Sequence, residues 1–306
     1  MSDISESLPL KTPQPSSPQD PSERQRPMSS LGNRLRKLLS GLRGSRIATI
    51  GLCIILFWIF VAIFAPLISP YSPTELVGPR LELPSSEYWL GTDNLGRDVM
   101  SRVIWGARVV LLLAPASVFI GIVIGAPLGL ISGYRGGRID TFIMRVTDIM
   151  LSFPTLLIYI LIIATYGSSA IIVVISVAIG VVPSITRIVR SLVMDERTRD
   201  YVSAARLRGE NLSFILYREI LPNARGPIIV DTCIRIGYAV MAVGALGFLG
   251  LGIPPPTPDW GGMINEGRDW IFLQPWTVLA PAIALSSLVI GLNMIADGYR
   301  EIEQQR

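Results

Sequence analysis

The chain is 306 residues long, half of them hydrophobic, with only 16% charged residues and a formal net charge of +4. Together with a mean hydropathy of +0.50, this is the composition of a membrane protein and excludes an ordinary soluble domain. Histidine is absent from the sequence, which removes the commonest metal ligand, the commonest general base and a usual proton relay.

Residues 1–45 form a polar, basic leader. Its first 30 residues hold six Pro and eight Ser and little that could build a core, so they read as a disordered tail. A helical crossing of the hydrocarbon needs about 20 apolar residues, and Ile47–Ile68, within the segment 46–69, supplies the first. Both the leader and the apolar run are too long for a cleaved signal peptide, so a retained span is expected. Residues 70–108 are expected to form an extracytoplasmic loop with an interfacial helix. Val109–Tyr134 is the second span, opening a core of five spans over 109–300. Along it Gly121, Gly125, Gly129 and Gly133 recur every four residues. Such a stripe lets another helix approach closely in lipid. It suits packing inside the subunit, the simpler reading, or a sliding seam with a partner.

No residue from Ile149 to Thr186 is charged. That run is too long for one span and slightly short for two. The third span is therefore expected to begin inside Ile139–Met150, with the polar break Thr165–Ser169 separating it from the fourth. Arg145 and Asp148 then lie at the membrane boundary, three apart on a helix and able to pair. Ile228–Leu251 is the fifth span, carrying Asp231 and Arg235 four apart on one face, and Trp276–Ala296 is the sixth. Asp297 and the C-terminal residues 301–306 follow. Charges in such places need a partner or water. A substrate pathway is one reading; self-neutralising pairs are the other, and they account for all but Asp297. Cys53 and Cys233 fall inside spans and read as small apolar residues. Trp89, Trp105, Trp260, Trp270 and Trp276 flank spans on one side, as interfacial anchors do.

Six spans place both termini on one side with the segments 135–145 and 187–225. That side carries 21 of the 27 Lys and Arg, and the other side carries five. Basic residues accumulate on the cytoplasmic side, so the termini and both segments are expected there. Lys11 and Lys37 are the sole lysines and neither follows a Gly, so no nucleotide-binding P-loop is present. Any uphill work draws on an ion gradient or on a separate subunit. No paired carboxylates, nucleophile or metal constellation indicates an enzyme.

The segment 187–225 is a basic interruption between apolar runs. Its stretch up to Arg208 has no helix breaker, Gly209 suits a helix end, and Leu212, Ile215, Leu216 and Ile220 recur at helical spacing. Pro222 is expected to stop this second helix. Ala204 and Ala205 leave a smooth surface before the turn. A protein partner and a lipid surface both fit this pattern.

The stretch SAARLRGENLSFILYREILP, with Ala204, Ala205, Gly209, Leu221 and Pro222, resembles the signature loop of bacterial ABC importer permeases. WLGTDNLGRDVMSRVIWGAR at 89–108 and ALGFLGLGIPPPTPDWGGMINEGRDW at 245–270 look like the dipeptide/oligopeptide/nickel class, C-type subunit. The resemblance covers roughly residues 40–300. It implies an all-α, six-span, type I ABC importer permease fold with cytoplasmic termini, in the bacterial cytoplasmic (inner) membrane. It also implies that the loop is a coupling helix seated in a cleft of an ATPase subunit. The implied partners are a homologous B-type permease forming a heterodimer, two ATP-binding subunits that hold ATP and Mg, an extracytoplasmic substrate-binding protein and the lipid bilayer, with no nucleic acid. The chain itself would bind no cofactor and no metal. The family loop usually begins with Glu where Ser203 stands here, so a charged contact is either absent or supplied by a neighbour such as Glu210. The solutes implied are di- or oligopeptides, with nickel, glutathione or another non-peptide solute as alternatives. An ion-coupled secondary transporter is a more distant reading, as is a membrane scaffold.

Overall fold

The computed structural model describes residues 45–304; the first 30 residues, expected as a disordered tail, and the rest of the leader up to residue 44 lie outside them. Among the described residues the regular structure is helical apart from one isolated bridge, Thr92–Asp98. The first helix, α1 (Arg46–Ile68), is followed by the irregular segment 69–98 and then by α2 (Val99–Arg135). Asp98 caps α2, its Oδ2 accepting from the Ser101 N–H at 2.7 Å. The interfacial helix expected before Val109 is therefore the first three turns of α2. Hydropathy placed the boundary at Arg108, whereas the cap residue sits ten positions earlier.

Two shorter helices come next, α3 (Gly137–Ser152) and α4 (Thr155–Tyr166), bent by 84° at the break between them. Pro154 lacks an N–H, and Phe153 before it is pushed to an extended conformation (φ −92°, ψ 140°). The expected third span is thus two helices about a proline corner. Then come α5 (Ala170–Glu196), the short α6 (Asp200–Leu207) and α7 (Leu212–Phe214), a π-helical stretch Ile215–Ile220, and α8 (Leu221–Phe248). The last elements are α9 (Trp260–Gly267), a 3₁₀ turn Arg268–Trp270, and α10 (Trp276–Gln304). Among the described residues five helices are long and apolar enough to cross a membrane, and the α3–α4 pair passes the same test jointly.

The glycine stripe fixes the centre of the bundle. A Cβ at Gly121, Gly125, Gly129 or Gly133 would lie 2.6–2.9 Å from Val181, Val182, Thr186 or Arg190 of α5, respectively. At Gly125, Gly129 and Gly133 the nearest atom of α5 is a backbone carbonyl and at Gly121 it is the Val181 side chain, so the two helices pack closely along this stripe within the subunit. Residue numbers rise together along the two helices, so α2 and α5 run parallel. The chain between their ends must then travel the length of the bundle, and α3 and α4 make that passage. On the other flank α1 runs antiparallel to α10. Gly51 meets Gly291 and Met294, Gly298 meets Ala48, and Trp58 Nε1 donates to Ser287 Oγ at 2.8 Å. The start of α1, the end of α10 and the segment 197–220 share one end of the bundle, here the loop end. Segments 69–98 and 249–275 close the other.

Trp260 is buried completely, donates from Nε1 to the Val103 carbonyl at 2.9 Å and packs edge-on against Trp58. It belongs to the core and is not an interfacial anchor. Its short helix enters the bundle, which sequence flanking cannot reveal.

A candidate coupling loop and a charged cap at the opposite end

At the loop end, α6 is terminated by Gly209, whose φ of +76° lies where a side chain is strained. The Glu210 N–H returns to the Ala205 carbonyl at 3.2 Å and the Gly209 N–H to the Arg206 carbonyl at 2.9 Å, closing the turn. Asn211 then caps α7, accepting from the Phe214 N–H at 2.8 Å. Val202 and Ala205 of α6 are buried with Ile215, Leu216 and Ile220 in the main core. Ser203, Ala204 and Gly209 stay exposed, and Leu207 is 90% exposed. The two alanines thus divide: Ala205 anchors the helix and Ala204 is offered outward.

Pro222 does not stop the second helix. The Leu221 N–H reaches back five residues to the Leu216 carbonyl, so the preceding turn is π-wound and runs directly into α8. Pro222 falls in the first turn of α8, where a missing N–H costs little. Leu221 is half-buried and Pro222 exposed. The loop is consequently joined to the next apolar helix without a hinge residue between them.

Arginines tie the loop to neighbouring helices. Arg197 donates to the carbonyl of Gly133 at 2.9 Å, capping α2, and Arg206 Nε donates to Tyr134 Oη at 2.9 Å with its guanidinium 4.8 Å from that ring. Tyr201 donates to Glu196 at 2.6 Å; burial first, and Glu196 next, push its pKa up to about 12, so it remains a donor. Glu210, one candidate for the charged contact that Ser203 does not supply, faces Arg208 at 3.6 Å, and Arg208 also reaches Glu219 at 3.2 Å. These exposed contacts each contribute at most about 1 kcal/mol.

The charged residues expected inside spans are partly re-paired. Asp231 and Arg235 do pair, at 2.6 Å with both side chains under 20% exposed. Arg145 and Asp148 do not pair with each other; Asp148 is held by Arg187 of α5 at 2.7 Å. The end of α2 at Gly133 already packs on Arg190, so α3, which starts at Gly137, lies beside α5, a proximity that spacing along one helix could not indicate. The same contact brings Asp140, unnoticed in sequence, into a two-pronged pair with Arg190 at 2.5 and 2.6 Å, with Ser132 donating to it as well. Asp297 faces Arg300 at 3.7 Å.

At the opposite end lies a cap that sequence reasoning missed. Asp93 accepts from Arg97 Nε at 2.7 Å and from Arg102 Nη1 at 2.5 Å, and both arginines also reach Glu266 of α9, at 2.8 and 2.9 Å. Asp93, Arg97 and Arg102 are buried. Burial alone would raise the Asp93 carboxyl, but Arg102, the Arg97 N–H and guanidinium, and the Leu95 N–H together hold it below its usual value. The network ties segment 69–98 to α9. Its only sequence signal was that its members sit inside the two flanking motifs, since Glu266 is over 160 residues from its partners. Next to it is a cavity of about 270 Å³ lined by Arg102, Ser168, Pro255, Thr257, Asp259 and Glu266 among others. Among the described residues no group of three or more His, Cys, Asp or Glu side chains is placed to hold a metal ion.

Two family profiles match the chain. One is the binding-protein-dependent transport system inner membrane component, over residues 125–306, and the other is the N-terminal TM domain of oligopeptide transport permease C, over 34–84. A dipeptide transport system permease protein, DppC, of Alkalihalophilus pseudofirmus is 41% identical over 294 residues, covering 96% of this chain and 95% of that one. A glutathione transport system permease protein, GsiD, of Pectobacterium atrosepticum is 39% identical over 249 residues, covering 81% and 83%. Among solved structures, a chain of the MetNI methionine ABC transporter in an inward-facing conformation superposes with a TM-score of 0.56 at 19% identity, over 68% of this chain and 98% of that one; this likeness shows the fold. With its apolar helices, seam and loop of this geometry, the chain belongs to the binding-protein-dependent transport system inner membrane component family and is a multi-pass permease subunit of the bacterial inner membrane.

Proposed function

We propose that the chain is the C-type permease of an ATP-driven peptide importer, and that α6 with its exposed Ala204 and Leu207 is the helix that an ATP-binding subunit grips. The observation that carries this reading is the construction of the loop. α6 has one buried and one exposed small-residue face and is tied by Arg206 to Tyr134 of α2, and beyond the Gly209 turn α7 and the π turn run without a break into α8. Movement imposed on α6 is therefore passed to the spans. In this reading α3 and α4 form one broken span, giving six. Both termini and the loop are cytoplasmic, in keeping with the excess of Arg on that end. A homologous B-type permease completes a heterodimer, two ATP-binding subunits hold ATP and Mg, and a binding protein delivers solute to the end closed by segments 69–98 and 249–275. This chain supplies a conduit and a lever, and no hydrolytic site of its own.

Dipeptides are the solute favoured by the similarity to the dipeptide permease over 96% of the chain. The glutathione permease at 39% identity supports a second reading, a modified tripeptide. The test is uptake of labelled dialanine and of labelled glutathione by vesicles holding the complete importer and its binding protein. ATP-dependent dialanine uptake is expected; uptake of glutathione alone would replace the first reading with the second. For topology, single cysteines within 200–223 should resist a membrane-impermeant thiol reagent in intact cells while one at Ser86 reacts. Reaction at both would overturn the six-span arrangement.

A further inference from the structure

The cavity beside the charged cap contains an imbalance that the cap does not explain. Arg97 and Arg102 are matched by Asp93 and Glu266, two cations against two carboxylates. Asp259 stands outside this set. It is 3% exposed, and among the described residues no basic side chain lies within ion-pair distance of it. Its Oδ2 accepts the Gly262 N–H at 3.1 Å, capping α9, while Oδ1 is buried and accepts nothing. Arg102, also 3% exposed, has a second unsatisfied atom: its Nε is buried without an acceptor. Both residues line the same cavity, with Thr257, Asn265 and Glu266. A buried carboxylate oxygen and a buried guanidinium N–H left without partners each cost free energy, and native interiors rarely retain either.

We infer that this cavity is a subsite for the amino end of a peptide, its primary ammonium set against Asp259 and its first carbonyl against Arg102. The chemistry selects this ligand over others. A lone anion would meet Asp259 and Glu266 on the same walls. A metal ion would need more donors converging than Asp259 and Glu266 offer. An ammonium brings three donors and the missing positive charge, and a peptide terminus carries an acceptor carbonyl beside it, so one ligand offers a cation to Asp259 and an acceptor to Arg102, two residues that line the same cavity. A lysine side chain brings the charge without that adjacent carbonyl. At about 270 Å³ the cavity suits a chain end, being smaller than pockets that enclose a drug-sized molecule. The inference rests on the peptide-importer reading, and it places the subsite at the end of the bundle where solute would arrive.

The test uses the complete purified importer, with Cys53→Ala and Cys233→Ala in this chain and one reporter, Thr257→Cys, in the cavity wall. Its modification by a thiosulfonate bearing an ammonium is compared with that by one bearing a sulfonate, read by mass spectrometry of this chain. Ser86→Cys is the reference for an exposed site. The cation-to-anion rate ratio is expected to be at least about tenfold higher at 257 than at 86, and to fall to the reference in Asp259→Asn, which keeps the helix cap and removes the charge. Millimolar dialanine should slow the reaction at 257, N-acetyl-dialanine should not, and Asp259→Asn should abolish the difference. Equal ratios at both sites, or a ratio indifferent to Asp259→Asn, would overturn the subsite. Equal protection by the two peptides would overturn its assignment to a peptide terminus. Because no transport is measured, failure here is distinguishable from failure of the peptide reading, which the uptake assay decides.

Discussion

Gly129→Ala adds one methyl group at the tightest point of the seam between α2 and α5. The new carbon would sit 2.6 Å from the Thr186 carbonyl and 2.8 Å from Val189 Cβ. Ordinary contact begins at about 3.4 Å, so the helices must separate by most of an ångström there, and the obstructing atom is backbone. Overpacking of this kind typically costs about 1–3 kcal/mol, more than the roughly 1 kcal/mol that Ala gains over Gly from helix propensity. Gly237→Ala on α8 is the matched control. It is also a buried helical glycine, but its added carbon would meet nothing nearer than 3.7 Å. The propensity gain should then stand alone. Thermal melts of the purified importer, followed by size-exclusion chromatography, should show Gly129→Ala lowered and Gly237→Ala unchanged or raised. Equal shifts for the two, or a stabilised Gly129→Ala, would refute the backbone-to-backbone seam.

Removing one member of the Asp231–Arg235 pair strands a mostly buried charge, at a cost of up to about 3–5 kcal/mol. Asp231→Asn and Arg235→Gln should each lower the folded yield, and the double change should recover much of it; single changes that leave yield intact would contradict the pairing. Asp259 is raised to about 6, chiefly by burial, so the folded state favours its protonated form. Stability of the peptide-free importer should therefore rise as the pH falls from 7 to 5, by about 1–2 kcal/mol from this group, and Asp259→Asn should remove that rise. Gly209→Leu forces a branched side chain into left-handed geometry at a cost of about 1–2 kcal/mol. It should leave the spans folded while ATP-dependent uptake falls at least tenfold; normal uptake would show that the turn has no part in coupling.

What could be read from the sequence was whatever repeats along one helix. The apolar runs, the glycine stripe, the Gly209 helix end and the Asp231–Arg235 spacing are all local; the runs lie on helices whose ends differ from those hydropathy gave, Gly209 follows a helix end and Asp231 pairs with Arg235. What could not be read depends on how helices turn toward one another. The seam that ends at Gly133 sets the start of α3 beside α5 and so gives Asp148 to Arg187 and Asp140 to Arg190. Trp260 looks like an interfacial anchor until its helix enters the core. The charged cap joins Asp93 to Glu266 across most of the chain. At Pro222 the local rule itself misleads, because a π turn lets the helix continue past a residue that usually ends one.

The most direct test of the lever is Ala204→Asp. Ala204 is exposed beside the fully buried Ala205, so a carboxylate there should cost the fold little and act on whatever covers that face. The measurement is retention of the ATP-binding subunits when the tagged permease is purified from membranes, alongside ATP-dependent uptake in vesicles. Membrane levels should match the unaltered protein, while retention of the ATP-binding subunits and uptake both fall at least tenfold. Full retention with normal uptake would mean that α6 rests on lipid and transmits nothing.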